Sequence, residues 1–207
     1  MPRGGNSSFY APGKSPFHVK GGIYLGTGKY FAAVVPGGME ALYAQIDDPL
    51  LLAFIQQKFL PSSWYDVLPV APLIRAEARA VGIGVADYLK ARTVFQAKED
   101  IGGIYRFLLK LVSPESACLR LPGLLSQIFD FGSHQSKRMG PTHLEFTLAG
   151  YPRVLWEWYV NAFSVYGETA MKLSGAKTVS LSAHAPKESS LDREVEVVTF
   201  VIDCRWE

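Results

Sequence analysis

The residues able to carry chemistry are few and dispersed. Four histidines are present, His18, His134, His143 and His184. None stands in an HExxH or HxH spacing that would aim two imidazoles at one metal ion. His134 and His143 flank a Gly140-Pro141 turn, so a hairpin there would make them neighbours, and His184 could join from a third strand. Read as chemistry, these three are a metal site or haem ligands. Read as structure, they are neutral imidazoles at exposed strand ends, which need no special partner. Asp130 lies between Phe129 and Phe131. Enclosed by aromatics, its carboxyl pKa would rise; on an alternating strand it would instead point outward. An enzyme would have to act through Asp130, His134 and His143. No Gly-x-Ser-x-Gly elbow occurs, and no Cys stands beside a predicted His. The glycine-rich GGIYLGTGKY is no phosphate loop, because Ile23 takes the first glycine's place and Tyr30 follows Lys29. No catalytic or metal-ligating residue is therefore assigned.

The aromatic residues say more. Tyr105, Phe107, Phe129, Phe131, Trp156, Tyr159 and Phe163 all fall in predicted packed elements. Such a set can line an apolar ligand cavity, since small-molecule sites are mainly apolar with a few polar groups. It can equally be an ordinary filled core, or present a homodimer surface, where Trp and Tyr are favoured.

The element that must position them is Pro152 to Gly175. It opens on Pro152 and closes on Ser174-Gly175, as helices do. Leu155, Tyr159, Ala162, Phe163, Tyr166, Ala170 and Leu173 recur at three- and four-residue steps, which predicts one apolar helical face. Ahead of it, Met39 to Ile46 reads as a short helix, and Asp48-Pro49 caps another to Phe59. Trp64 to Pro69 reads as a compact helical turn, with further helices from Pro69 to Gly82, from Val85 to Lys98, from Glu99 to Val112, and from Ser113-Pro114 to Gln127. A short strand is expected at Tyr30 to Val35. Then the period changes. Ile128 to His134, His143 to Gly150, Lys177 to His184 and Glu194 to Cys204 alternate as strands, with a polar loop at Pro186 to Asp192. Helices first and strands later imply an α+β fold with a helical layer on a roughly four-stranded antiparallel sheet. Residues 1–22 read as an irregular N-terminal arm and residues 23–207 as one α+β domain.

The bulk numbers fit a packed fold. Hydrophobic residues make up 48% and charged residues 19% of the 207 positions, enough apolar material for a core. The formal net charge is +2, without the basic stripe of a nucleic-acid binder. Lys137-Arg138 is the only compact basic spot, and exposed charge is common in solvated loops. Cys118 and Cys204 belong to no CxxC pattern and are expected to be buried free thiols. No apolar run is long enough to span a bilayer, and the first residues lack the apolar core of a signal peptide, so a cytoplasmic setting is expected.

Trp64 to Pro69, Asp100 to Arg106, Leu109-Lys110, Ser113-Pro114-Glu115, Phe129-Asp130-Phe131-Gly132 and Leu173 to Lys177 resemble a myxobacterial paralogous family of unknown function, over roughly residues 25 to 205. The layout is similar to a wider group: haem–nitric-oxide-binding sensors, four-vinyl-reductase-type domains and TRAPP-like Golgi transport subunits. That resemblance implies helices against an antiparallel sheet and either a bound haem, acyl chain or small hydrophobic molecule, or a dimeric scaffold. The sequence departs from the haem sensors in having no proximal His in a predicted helix and no Tyr-x-Ser-x-Arg clamp, so the cofactor stays open. The leading expectation is a non-enzymatic sensory domain holding a small apolar ligand between helices and sheet. Its rival is a homodimeric or partner-docking signalling module without a ligand.

Overall fold

The computed structural model describes residues 10–101, 109–186 and 188–207. Strand β1 (His18–Lys20) leads into α1 (Gly22–Val34), α2 (Gly38–Tyr43) and α3 (Pro49–Gln56), followed by β2 (Trp64–Asp66), α4 (Val70–Val81) and α5 (Val85–Asp100). Next come α6 (Pro114–Ile128), β3 (Ser133–Gly140) and β4 (His143–Pro152). A 3-10 turn (Arg153–Leu155) then opens α7 (Trp156–Leu173), and β5 (Val179–Ala183), β6 (Glu188–Asp192) and β7 (Val195–Trp206) complete the order.

The cap signals act as their chemistry requires. The Asp48 side chain accepts from Leu50 N–H with Pro49 in the first turn, and the Ser113 hydroxyl accepts from Ser116 N–H with Pro114 behind it. Gly82 closes α4 in the left-handed region at φ 78°. Pro122 lies inside α6, which nonetheless runs on to Ile128.

Several expectations give way. Pro152 ends β4 and the long helix opens at Trp156, and Glu99-Asp100 end α5 rather than open a further helix. Tyr30 to Val35 is the end of α1 rather than a strand. The packing explains both the helix and one of its glycines: a Cβ on Gly26 would lie 2.4 Å from Gln96 Oε1 and 2.5 Å from Arg92 Nη2 on α5, so α1 and α5 approach closely there. Trp64 to Asp66 is a strand rather than a helical turn, because it pairs antiparallel with β1 in the register Val19 to Tyr65. Residues 129–132, read as part of a strand, link α6 to β3. Glu188–Asp192, read as loop, is strand β6, held by β7 through the two-residue turn Arg193-Glu194, with φ 46° and 64°.

The main sheet accordingly has five strands, all antiparallel. β3, β4, β7 and β5 lie in that order, and β6 joins the same edge of β7 as β5, further along. On β4, Leu144, Phe146 and Leu148 face inward, as alternation predicts, and Phe200, Ile202 and Cys204 match them on β7. β3 is an edge strand, exposed along nearly its whole length, and its Lys137 and Arg138 blunt it against a further strand. Helices α6 and α7 cover the inner face. The earlier helices lie on the far side of α7, so α7 is the middle layer.

The segment 10–22 is bound into this body. Buried Asp66 accepts from the backbone N–H groups of Gly13, Lys14, Ser15 and Leu68 and from the Ser15 hydroxyl. Phe17 and Val19 are fully buried. The Arg193 guanidinium donates to Pro16 O at 2.9 Å and lies 4.3 Å from the centre of the Phe17 ring, while the Tyr10 hydroxyl donates to Arg193 O.

Candidate functional site

Helix α7 presents two stripes. Tyr159, Phe163, Gly167, Ala170 and Met171 are buried toward the sheet and α6. Trp158, Ala162 and Tyr166, four apart, look the other way, into a chamber of about 260 Å³. Its opposite wall is a stripe on α5: Tyr88, Arg92, Gln96 and Asp100, again four apart and therefore on one helical face. Gly22, Ile23, Tyr24 and Thr27 of α1 and Val70, Leu73, Ile74 and Glu77 of α4 complete the lining.

The chamber is mostly apolar and polar at one end. Glu77 is only 3% exposed. The Thr27 hydroxyl donates to its Oε1 at 2.7 Å. Burial raises the Glu77 carboxyl above its ordinary value, and the Thr27 hydrogen bond and the Arg92 charge offset part of that rise. Tyr88 is fully buried, its hydroxyl faces Glu77, and it completes no hydrogen bond of normal geometry. Burial first, then the Glu77 charge, push the Tyr88 phenol far up, so it stays neutral. From this end a relay runs outward. Arg92 Nη1 donates to Gln96 Oε1 at 2.9 Å, Gln96 Nε2 donates to Asp100 Oδ1 at 2.7 Å, and the Tyr166 hydroxyl closes it on Asp100 Oδ2 at 2.5 Å. A second cleft of about 330 Å³ shares Tyr24, Thr27 and Leu73 with the chamber, is lined also by Met39, Ile55 and Phe59, and among the described residues has no acidic residue in its lining.

The aromatic residues singled out from sequence have distinct places. Phe129, Phe131 and Tyr159 meet in one ring cluster with Tyr151, Trp158 and Phe17, at centroid separations of 4.9 to 6.5 Å. Phe163 packs on Phe146 of β4 at 5.5 Å. Trp156 keeps its indole N–H buried without a partner, and the Tyr159 hydroxyl is likewise buried and unpartnered. Tyr105 and Phe107 lie outside the described residues. Of the cluster, Trp158 also lines the chamber.

The proposed catalytic trio is not assembled. Asp130 accepts from His18, through its backbone N–H at 2.7 Å and its ring Nδ1 at 2.5 Å. His134 pairs across from Leu148, five residues along β4 from His143, a separation of roughly 17 Å at strand rise. Its side chain also stands on the sheet face opposite that of His143. His143 and His184 do converge, on a carboxylate that sequence reading missed. Asp203 of β7 takes His143 Nε2 on one oxygen and His184 Nε2 on the other, both at 2.6 Å. These two hydrogen bonds, His184 first, hold the Asp203 carboxyl below its ordinary range. Among the described residues no group of three or more His, Cys, Asp or Glu is arranged to hold a metal ion.

No family model matches the chain, and no curated protein matches it. Solved structures match its shape. A Cs H-NOX mutant superposes with a TM-score of 0.62 at 9% identity, over 91% of this chain and 96% of that one. An oxygen-binding H-NOX domain related to soluble guanylate cyclases gives 0.58 at 8% identity, over 91% and 95%. The unliganded Fe(II) H-NOX protein from K. algicida gives 0.56 at 11%, over 91% and 96%. At such identities the likeness is one of fold.

The donor set does not fit a haem in this chamber. All four histidines lie in strands or in the residue after one, none on a helix, and among the described residues no His, Cys or Met lines the chamber. Its tyrosines are poor substitutes. The Tyr24 hydroxyl is committed to Asp66 O and that of Tyr166 to Asp100, and burial drives the phenols of Tyr24, Tyr88 and Tyr166 up, away from the phenolate an iron would need. What the chain does have is an H-NOX-like α+β fold with helices on an antiparallel sheet.

Proposed function

We propose that this chain is a small-molecule-binding sensory domain whose ligand sits between α5 and α7. The observation that carries the reading is the chamber itself: mostly apolar walls with buried Glu77 at one end and, facing it, a Tyr88 hydroxyl that completes no hydrogen bond of normal geometry. A site of that composition suits a compact apolar molecule with a single polar group. The ring cluster of Phe129, Phe131 and Tyr159 backs the other face of α7, so a ligand that moves α7 also moves the packing against the sheet. Likeness to H-NOX domains supports the fold-level part of this reading, and the motifs Trp64 to Pro69 and Phe129 to Gly132 keep the resemblance to the myxobacterial family in view.

Native mass spectrometry tests it. The folded protein is expected to carry added mass that leaves on denaturation, with no Soret absorbance. Ala162→Phe, which fills the chamber from α7, is expected to stay folded and lose that mass. A clean mass for the wild-type protein, with no thermal stabilisation by any small apolar probe, overturns the reading. A second reading, docking to another protein, is favoured by three leucines at and near α6: Leu111, Leu119 and Leu124 are 66, 45 and 48% exposed. A dimer mass in the same spectrum, abolished by Leu119→Glu with Leu124→Glu, would move the assignment there.

A further inference from the structure

We propose that the chamber selects a neutral molecule carrying one group that both donates and accepts a hydrogen bond, a hydroxyl or a primary amide, on a compact apolar body. This rests on the chamber being the ligand site. Its polar end offers two complementary functions side by side. The Glu77 carboxyl accepts: one oxygen takes the Thr27 hydroxyl, and the Tyr88 hydroxyl and the Arg92 charge face the same group. The Tyr88 hydroxyl is a buried donor that faces Glu77 without completing a hydrogen bond of normal geometry, so a better-placed acceptor can take it. A buried hydroxyl left unpaired is costly in an otherwise well-bonded interior, so a partner supplied by the ligand removes a standing penalty. A hydroxyl or amide can give its hydrogen to Glu77 and take one from Tyr88 at the same moment. A hydrocarbon can do neither.

Charge sets the rest. Arg92 stands beside Glu77 and balances it. A cationic ligand would leave an uncompensated positive charge whether Glu77 is ionised or protonated, and buried unpaired charge is strongly disfavoured. An anion would be repelled by Glu77 in its ionised form, with which Arg92 is already paired in charge. Size follows from volume. A cavity of 150 Å³ holds benzene, so about 260 Å³ holds roughly ten non-hydrogen atoms. Ile23, Leu73, Ile74, Leu89 and Trp158 provide the apolar surround.

The test is calorimetric binding of four matched probes, toluene, benzyl alcohol, benzylamine and benzoate, to the intact protein. Benzyl alcohol is expected to bind at least tenfold more tightly than toluene, the scale of one hydrogen bond to a charged buried group, and both charged probes more weakly than benzyl alcohol. Tyr88→Phe is expected to erase the preference for the alcohol while toluene binding stays. It is also expected to raise the melting temperature of the ligand-free protein, because it deletes a buried hydroxyl that completes no hydrogen bond of normal geometry. A merely structural Tyr88 hydroxyl would lower it. Equal binding of toluene and benzyl alcohol, or preference for a charged probe, overturns the ligand class and leaves the chamber reading standing. Binding of none of the four overturns both.

Discussion

Asp66 shows how much one side chain can organise. It is 3% exposed and takes five donors, four of them backbone N–H groups, two of these in buried bonds. Asp66→Ala orphans them together and is expected to cost about 3 kcal/mol or more in chemical denaturation. Glu77 behaves differently because its partners do not offset its burial. Its carboxyl is raised from 4.5, so the folded protein holds that proton more tightly than the unfolded chain. The resulting stability is full below pH 4.5 and is lost as pH rises through the higher folded value. Relative to Glu77→Gln, the wild-type protein should therefore lose stability on going from pH 4 toward neutrality, as read by thermal melts. Asp203 runs the other way. Its lowered carboxyl contributes above its ordinary value of 3.8 and stops contributing as pH falls through the lower folded one. Cys118 and Cys204, expected to be buried thiols, are both fully buried with their sulfurs 3.1 Å apart. Hydrogen bonding to Cys204, then burial, push the Cys118 thiol up. Neither cysteine should react with iodoacetamide at neutral pH until the protein is unfolded, a contrast that peptide mass mapping resolves.

At the scale of elements, α7 was legible because its apolar period is long and Ser174-Gly175 closes it, whereas Pro152, read as its start, ends β4 and the helix opens only at Trp156. The strands β4 and β7 were legible from strict alternation, and two helix starts from their Asp-Pro and Ser-Pro caps. The pairing of β1 with β2 was not, since two three-residue strands more than forty residues apart carry no local signal. The aromatic and β-branched end of α1 imitated a strand until its packing on α5 decided otherwise. The chamber was half legible. Tyr88, Arg92, Gln96 and Asp100 keep a four-residue step in the sequence, but their meaning depends on Thr27 and Glu77, which only the fold brings opposite. Two glycines at the start of the sheet separate conformation from space. Gly132 and Gly150 have φ of 78° and 79° and stack on each other, yet only at Gly132 would a Cβ meet the Tyr151 ring, at 2.7 Å. Gly150→Ala should cost about 1 kcal/mol for the left-handed backbone, and Gly132→Ala roughly 2–3 kcal/mol because Tyr151 must also move.

Across the whole molecule, stability should be graded by layer. β7 is flanked on both sides and its inward residues are nearly all buried, while β3 and β6 are exposed edges. Amide hydrogen exchange should therefore be slowest in β4 and β7 and fast in β3 and β6. The same arrangement has a consequence for synthesis. The strand on which β4, β5 and β6 all converge comes after all three in chain order, and the turn that clasps residues 10–17 immediately precedes it. While the ribosome is still adding residues up to Val195, β3 and β4 can form only a hairpin, and α7 has no completed sheet to lie on. The helices can gather as they emerge, through local contacts, but the distant contacts must wait. The nascent chain thus holds its sheet-facing apolar surface open until residues 195–206 have been made and can pair with β4, β5 and β6.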